Sequence, residues 1–202
     1  MASGSHFDGS VAAGILQRAL DAAAPSAPII YDRTTENPTE QSLQECMAIW
    51  QDRGCDGVIA LGGGSPIDLG KAVALLASHG GKLSDYNVKT GGSAKIGKVA
   101  PQIAIPTAAG TGAEVGRACV MSLLDGTKMV AVNLNMIADL VICDPELTLS
   151  LPPLMTAATG IDALSHGIET YCSPWENPPA AAIGLDAARR AAKWLPVAVE
   201  NG

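Results

Sequence analysis

The stretch "VIALGGGSPIDLGKAVALL" (58–76) constrains the fold of this chain most. The segment "GVIAL" (57–61), which starts one residue before it, has the length and composition of a buried strand and enters a glycine turn without a spacer. Gly62, Gly63 and Gly64 lack Cβ, so the backbone there can take positive φ and let a ligand approach its N–H groups. Ser65 is expected at the N-cap, Pro66 at the first helical position and Asp68 where a capping-box acid sits. A strand that passes directly into a helix, with more strands to follow, is the unit of a parallel sheet covered by helices. The positive end of such a helix faces the carboxyl end of the strand, where a pyrophosphate binds in open α/β sheets. The plainer alternative is a connection in which Asp68 only caps. The strict GxGxxG pattern is not met, since Ile67 occupies the third glycine's place, and no Walker lysine stands at the required spacing.

The rest of the chain extends this pattern. Residues 11–23 have the apolar spacing of an amphipathic helix, and "APIIYD" (27–32) reads as a short strand. Thr39 is placed to cap a helix over 40–53. After a polar excursion (80–98), "QIAIPT" (102–107) gives another strand. Residues 118–123 and 128–134 form a hairpin around "LDGT", and "DLVIC" (139–143) is the last strand. Helices are expected from there on, over 153–172 and 178–194. Strands alternating with helices, then helices alone, divide the chain into an α/β domain (1–148) and the start of an all-helical one (149–202).

Composition narrows the function. A net charge of −7 with no Lys/Arg cluster argues against nucleic-acid binding. No apolar run approaches the roughly 20 residues that span a bilayer, and the start lacks the features of a signal peptide. Five widely spaced cysteines without a CxxC suggest neither a disulfide framework nor a zinc ribbon, so a cytoplasmic location is expected.

Two further features carry chemistry. The loop "IPTAAGTGAE" (105–114) follows a strand, and its Thr107 and Thr111 flank small residues that leave room for a flat ring or a phosphate. In "GIDALSHGIE" (160–169), Asp162 and His166 share a helix face at i, i+4. A carboxylate oxygen with an imidazole nitrogen suits Fe²⁺, Zn²⁺ or Mn²⁺, although a helical histidine is more often an ordinary surface or core residue. A catalytic site needs at least three protein ligands. The other histidines, His6 and His79, are not placed to join the pair.

With its ordered motifs "NPT" (37–39), "GCDGVIALGGGSPIDLGKAVALL" (54–76), "AIPTAAGTGAEV" (104–115), "CDPELTLSLPP" (143–153) and "TAATGIDALSHGIETY" (156–171), the chain resembles the iron-containing (group III) alcohol dehydrogenases from about residue 11 to 202. The resemblance implies a Rossmann-like dinucleotide-binding α/β domain with a parallel sheet, followed by the first helices of an all-helical metal-binding domain. It implies that Gly63, Gly64, Ser65 and Asp68 contact the pyrophosphate region of NAD or NADP, and that Thr107 and Thr111 line the nicotinamide side. Asn37 is implied near the adenine, Lys128 in reach of the cofactor, and Asp162 and His166 as ligands of Fe²⁺ or Zn²⁺. By the same resemblance, the two remaining histidine ligands of family members are expected beyond the end of this sequence. The acid that holds the adenosine ribose in the family is expected to be absent or represented by Asp8, and Ala108 and Ala113 replace the hydroxyl residues more usual in the family.

The implied activity is metal-assisted, NAD(P)-dependent hydride transfer between the cofactor and a small alcohol or aldehyde. No residue is assigned as a dedicated general acid or base. The chain is expected to be an incomplete part of the enzyme and inactive alone, with a homo-oligomer as a further expectation. The alternatives are a non-catalytic nucleotide-binding fragment and a maleylacetate reductase-like or zinc-dependent glycerol dehydrogenase-like member of the same superfamily.

Overall fold

The structure, a computed structural model, describes residues 28–201. The expected helix at 11–23 lies outside the described residues, as do His6 and Asp8. Helix α1 (Glu40–Arg53) starts at Thr39, whose side chain accepts a hydrogen bond from the Ser42 N–H, and ends at Gly54 in the left-handed region, φ 62°. Strand β1 (Val58–Gly62) leads into helix α2 (Gly64–His79). The polar excursion that follows forms short 3₁₀ turns, capped in part by the Asn87 side chain.

Strand β2 (Gln102–Pro106) pairs in parallel with β1 in the register Val58↔Gln102 to Gly62↔Pro106. Strand β5 (Leu140–Val141) pairs in parallel with the other edge of β2. Among the described residues the sheet order is therefore β1-β2-β5, and each crossover carries the chain back for another parallel strand. Between β2 and β5, strands β3 (Ala118–Ser122) and β4 (Lys128–Val132) form the expected antiparallel hairpin. Its turn is held by Asp125, whose Oδ1 accepts from the Thr127 N–H at 2.8 Å, and by Gly126 at φ 81°. Alternation aims Cys119, Met121, Met129 and Ala131 inward, where all four are fully buried.

Helix α2 is the centre of the core. Residues Leu69 to Leu75 are all buried, and Gly70 brings the helix so close to β1 that a Cβ there would stand 2.9 Å from that of Ala60. After a 3₁₀ turn at Pro145–Thr148, helices α3 (Pro153–Tyr171) and α4 (Pro178–Asn201) pack as a pair. They meet at Gly167 and Gly184, each of which would bring a Cβ within 2.8 Å of the other's carbonyl oxygen. No helix among the described residues is long and apolar enough to cross a membrane.

Several boundaries differ from the sequence reading. Residues 28–32 join no strand. Tyr31 instead docks on α1, donating its hydroxyl to Glu45 at 3.0 Å, while Arg33 reaches the same carboxylate at 3.1 Å. The strand at 139–143 shrinks to Leu140–Val141, flanked by Asp139, whose carboxylate accepts from the Gln102 N–H at 2.8 Å. Helix α4 continues to Asn201 through Pro196, well past the expected end at 194.

Candidate functional site

The N-terminus of α2 is built differently from the expected cap. Gly63 is the N-cap, with an extended backbone (φ −76°, ψ −161°), and no side chain caps the helix. Ser65 and Pro66 therefore lie inside the first turn. Of the three turn glycines only Gly62 has positive φ, at 140°; a Cβ there would strike the Pro66 ring. Asp68 closes no capping box. Its Oδ2 accepts from the Val120 N–H at 3.0 Å and pins the hairpin to α2. Capping statistics missed this because the nearest partner for Asp68 comes from a strand 52 residues away.

These elements bound an open cleft of about 400 Å³. Gly64, Ser65 and Asp68 line it from α2, Asn37 from the segment before α1, Lys128 from β4, Thr111 from the second loop, and Asp162 and His166 from α3. Gly63 and Thr107 are the two expected site residues that do not line it. Thr107 is buried, and its N–H donates to the Gly62 carbonyl at 3.0 Å, tying the end of β2 to the end of β1. Asn37 is the one described non-glycine residue with positive φ, 54°, and its Oδ1 accepts from Lys128 Nζ at 3.0 Å. Gly64 lets the two loops touch, since a Cβ there would stand 2.8 Å from the Thr111 methyl.

Asp162 and His166 face each other on α3, with Nε2 and Oδ1 3.7 Å apart and both side chains partly exposed. Ligands at about 2.1 Å from a tetrahedral ion sit about 3.4 Å apart, so the pair fits two corners of a coordination sphere. Among the described residues no group of three or more His, Cys, Asp or Glu side chains could hold an ion. Glu169, three residues on, lines a separate depression beside Trp175 instead.

Two charged groups, Asp68 on the cleft wall and the buried Lys71, shape its electrostatics. Burial pushes the Asp68 carboxyl up to about 6, against the opposing pull of its hydrogen bond from Val120 and the charge of Lys71. Burial likewise lowers the Lys71 ammonium, opposed chiefly by Asp68. The sequence reading missed Lys71, although a lone lysine within the apolar run "DLGKAVALL" was a visible signal. It also missed Gly110, where a Cβ would stand 2.7 Å from the Thr159 carbonyl oxygen, so the second loop lies directly against α3.

The chain is similar to several dehydrogenases and to a reductase. The 4-hydroxybutyrate dehydrogenase of Cupriavidus necator is 48% identical over 183 residues, covering 90% of this chain and 48% of that protein. Long-chain-alcohol dehydrogenase 1 of Geobacillus thermodenitrificans is 41% identical over 173 residues, covering 86% and 44%. Among solved structures, sulfoacetaldehyde reductase from Bifidobacterium kashiwanohense in complex with NAD+ superposes with a TM-score of 0.84 at 33% identity, over 95% of this chain and 50% of that one. An iron-containing alcohol dehydrogenase from Thermotoga maritima does so with a TM-score of 0.84 at 31% identity, over 96% and 52%. The chain thus spans about half the length of the relatives it matches. The family model for iron-containing alcohol dehydrogenase matches residues 6–145, and with the glycine turn and the α3 pair placed on one cleft, the chain belongs to the iron-containing alcohol dehydrogenase family.

Proposed function

We propose that this chain is the nucleotide-binding part, and the first metal-binding helix, of an NAD(P)-dependent dehydrogenase acting on a small alcohol or aldehyde. The observation that carries the reading is the single cleft that Gly64, Ser65 and Thr111 share with Asp162 and His166. An uncapped α2 N-terminus leaves first-turn N–H groups and a positive dipole end for a pyrophosphate. Thr111 and the small residues beside it leave space for the nicotinamide, and Lys128, tethered by Asn37, lines the cleft as a cation for the nucleotide. Asp162 and His166, both on the cleft, would supply two ligands for Fe²⁺ or Zn²⁺. When bound, the ion supplies Lewis-acid polarisation of the substrate oxygen while the nicotinamide carries the hydride. The division into an α/β domain to residue 148 and a helical domain from 149 belongs to the same reading.

The Cupriavidus necator relative is named for 4-hydroxybutyrate, which makes an ω-hydroxy carboxylate the first substrate to try. The test is a chimera that continues this chain past Gly202 with the remaining half of that relative. With NAD+ and Fe²⁺, it is expected to form NADH from 4-hydroxybutyrate or a short primary alcohol. Asp162→Ala and His166→Ala should each lower turnover at least 100-fold while leaving the fold intact by circular dichroism. A folded, metal-loaded chimera with no turnover on any small alcohol would sink the reading.

A further inference from the structure

Lys71 is among the most buried side chains of the molecule, at 1% exposure, yet it carries a charge. Its Nζ donates to the carbonyl oxygens of Ala113, at 2.6 Å, of Gly116, and of Ala118, at 3.2 Å. An ammonium has three donors and no acceptor, so these carbonyls satisfy it completely. Burying a charge costs several kcal/mol before any partner is found, and a Met would fill the same space without that cost. The ammonium therefore has a role beyond filling the core, and its partners show which. All three carbonyls belong to the segment after β2, where the backbone is neither helix nor strand until Ala118 and turns through Gly112 at φ 63°. Such a segment has no ladder of its own to hold it, and a central cation replaces one.

The segment matters because of what it touches. Thr111, Gly112, Ala113 and Gly116 line the cleft, whereas Lys71 does not. Thr111 abuts Gly64 of the glycine turn, and Gly110 lies against Thr159 of α3, three residues before Asp162. We propose that Lys71 is a positioning residue: it gathers the Ala113, Gly116 and Ala118 carbonyls so that the 108–118 segment sets the spacing between the glycine turn and the helix bearing Asp162 and His166. This deepens the functional reading above and rests on it only for the identity of the ligand.

The test compares Lys71→Met with Val73→Ala, a core truncation in the same helix, both in the 202-residue chain. Amide hydrogen exchange is followed over 108–118 and 157–162, and NADH binding by fluorescence. Lys71→Met is expected to speed exchange in both segments at least tenfold and to weaken NADH binding at least tenfold. Val73→Ala should leave both segments and NADH affinity within about twofold of the unaltered chain. A folded Lys71→Met that behaves like Val73→Ala would overturn the proposal. If NADH binds neither the unaltered chain nor its variants, the nucleotide reading has failed, while the exchange comparison, made without ligand, still decides the role of Lys71. Should Lys71→Met not fold, the ¹⁵N-lysine spectrum of the other chains decides. A protected Lys71 ammonium resonance that shifts on Gly110→Ala supports the proposal, and a resonance that is unprotected or indifferent to that change overturns it.

Discussion

The α/β part and the helix pair bury their apolar residues in opposite ways. In the first, Leu43, Ile67, Leu75, Met121, Met129 and Met136 are all at or below 1% exposure, grouped around α2. In the second, only Gly167 and Gly184 are buried, while Leu154, Trp175 and Ile183 are 80%, 83% and 71% exposed. One region has a core of its own, and the other has a seam. The lesson concerns the cleft, which draws its two halves from regions of unequal rigidity. The glycine-turn side rests on a packed helix, and Asp162 and His166 ride on a helix held mainly by α4 and by one glycine contact to the second loop.

The contrast is sharpest in truncation. Leu43→Ala is expected to cost about 2–5 kcal/mol in urea unfolding, as a buried leucine does, whereas Trp175→Ala should stay within about 0.5 kcal/mol. Equal losses would break the comparison. A somewhat smaller effect is expected at Gly70→Ala, where the new methyl would meet the rigid Cβ of Ala60 at 2.9 Å. Overpacking of about 1–3 kcal/mol should outweigh the gain in helix propensity of up to about 1 kcal/mol, giving a net loss in thermal melts. Native-state hydrogen exchange should separate the regions next, with α4 amides exchanging at least tenfold faster than those of α2.

A further expected effect is on pH dependence. The folded-state pKa of Asp68 is raised from 3.8 to about 6, so between those values the folded chain holds a proton that the unfolded chain has lost. The contribution of this group to stability is therefore greatest below about pH 4 and declines as pH rises through about 6. Asp68→Asn should flatten the decline over that window in urea titrations by something on the order of 1–3 kcal/mol. A variant with an unchanged slope would remove Asp68 as the cause.

Much of the fold could be read along the chain because its signals are local. Thr39 and Gly54 mark the ends of α1, Asp125 and Gly126 mark the hairpin turn, and the i, i+4 spacing of Asp162 and His166 puts both on one face of α3. What failed depended on distant partners. Residues 28–32 have strand composition but find Glu45 of α1 instead of a neighbouring strand. Asp68 has the spacing of a capping acid but meets Val120. The close-approach glycine is Gly70, one turn beyond the position a fingerprint search inspects.

By itself the sequence determined the order of the elements, the glycine turn at the end of β1 and the pairing of an aspartate with a histidine on one helical face. These rest on backbone freedom, capping and helical periodicity, which act over a few residues. Only the tertiary structure decided that both features open onto one cleft, and that a buried lysine 42 to 47 residues distant from its carbonyl partners underlies the segment between them. Those contacts exist only once the parallel strands have brought the loops to the same end of the sheet, and no local propensity encodes that meeting.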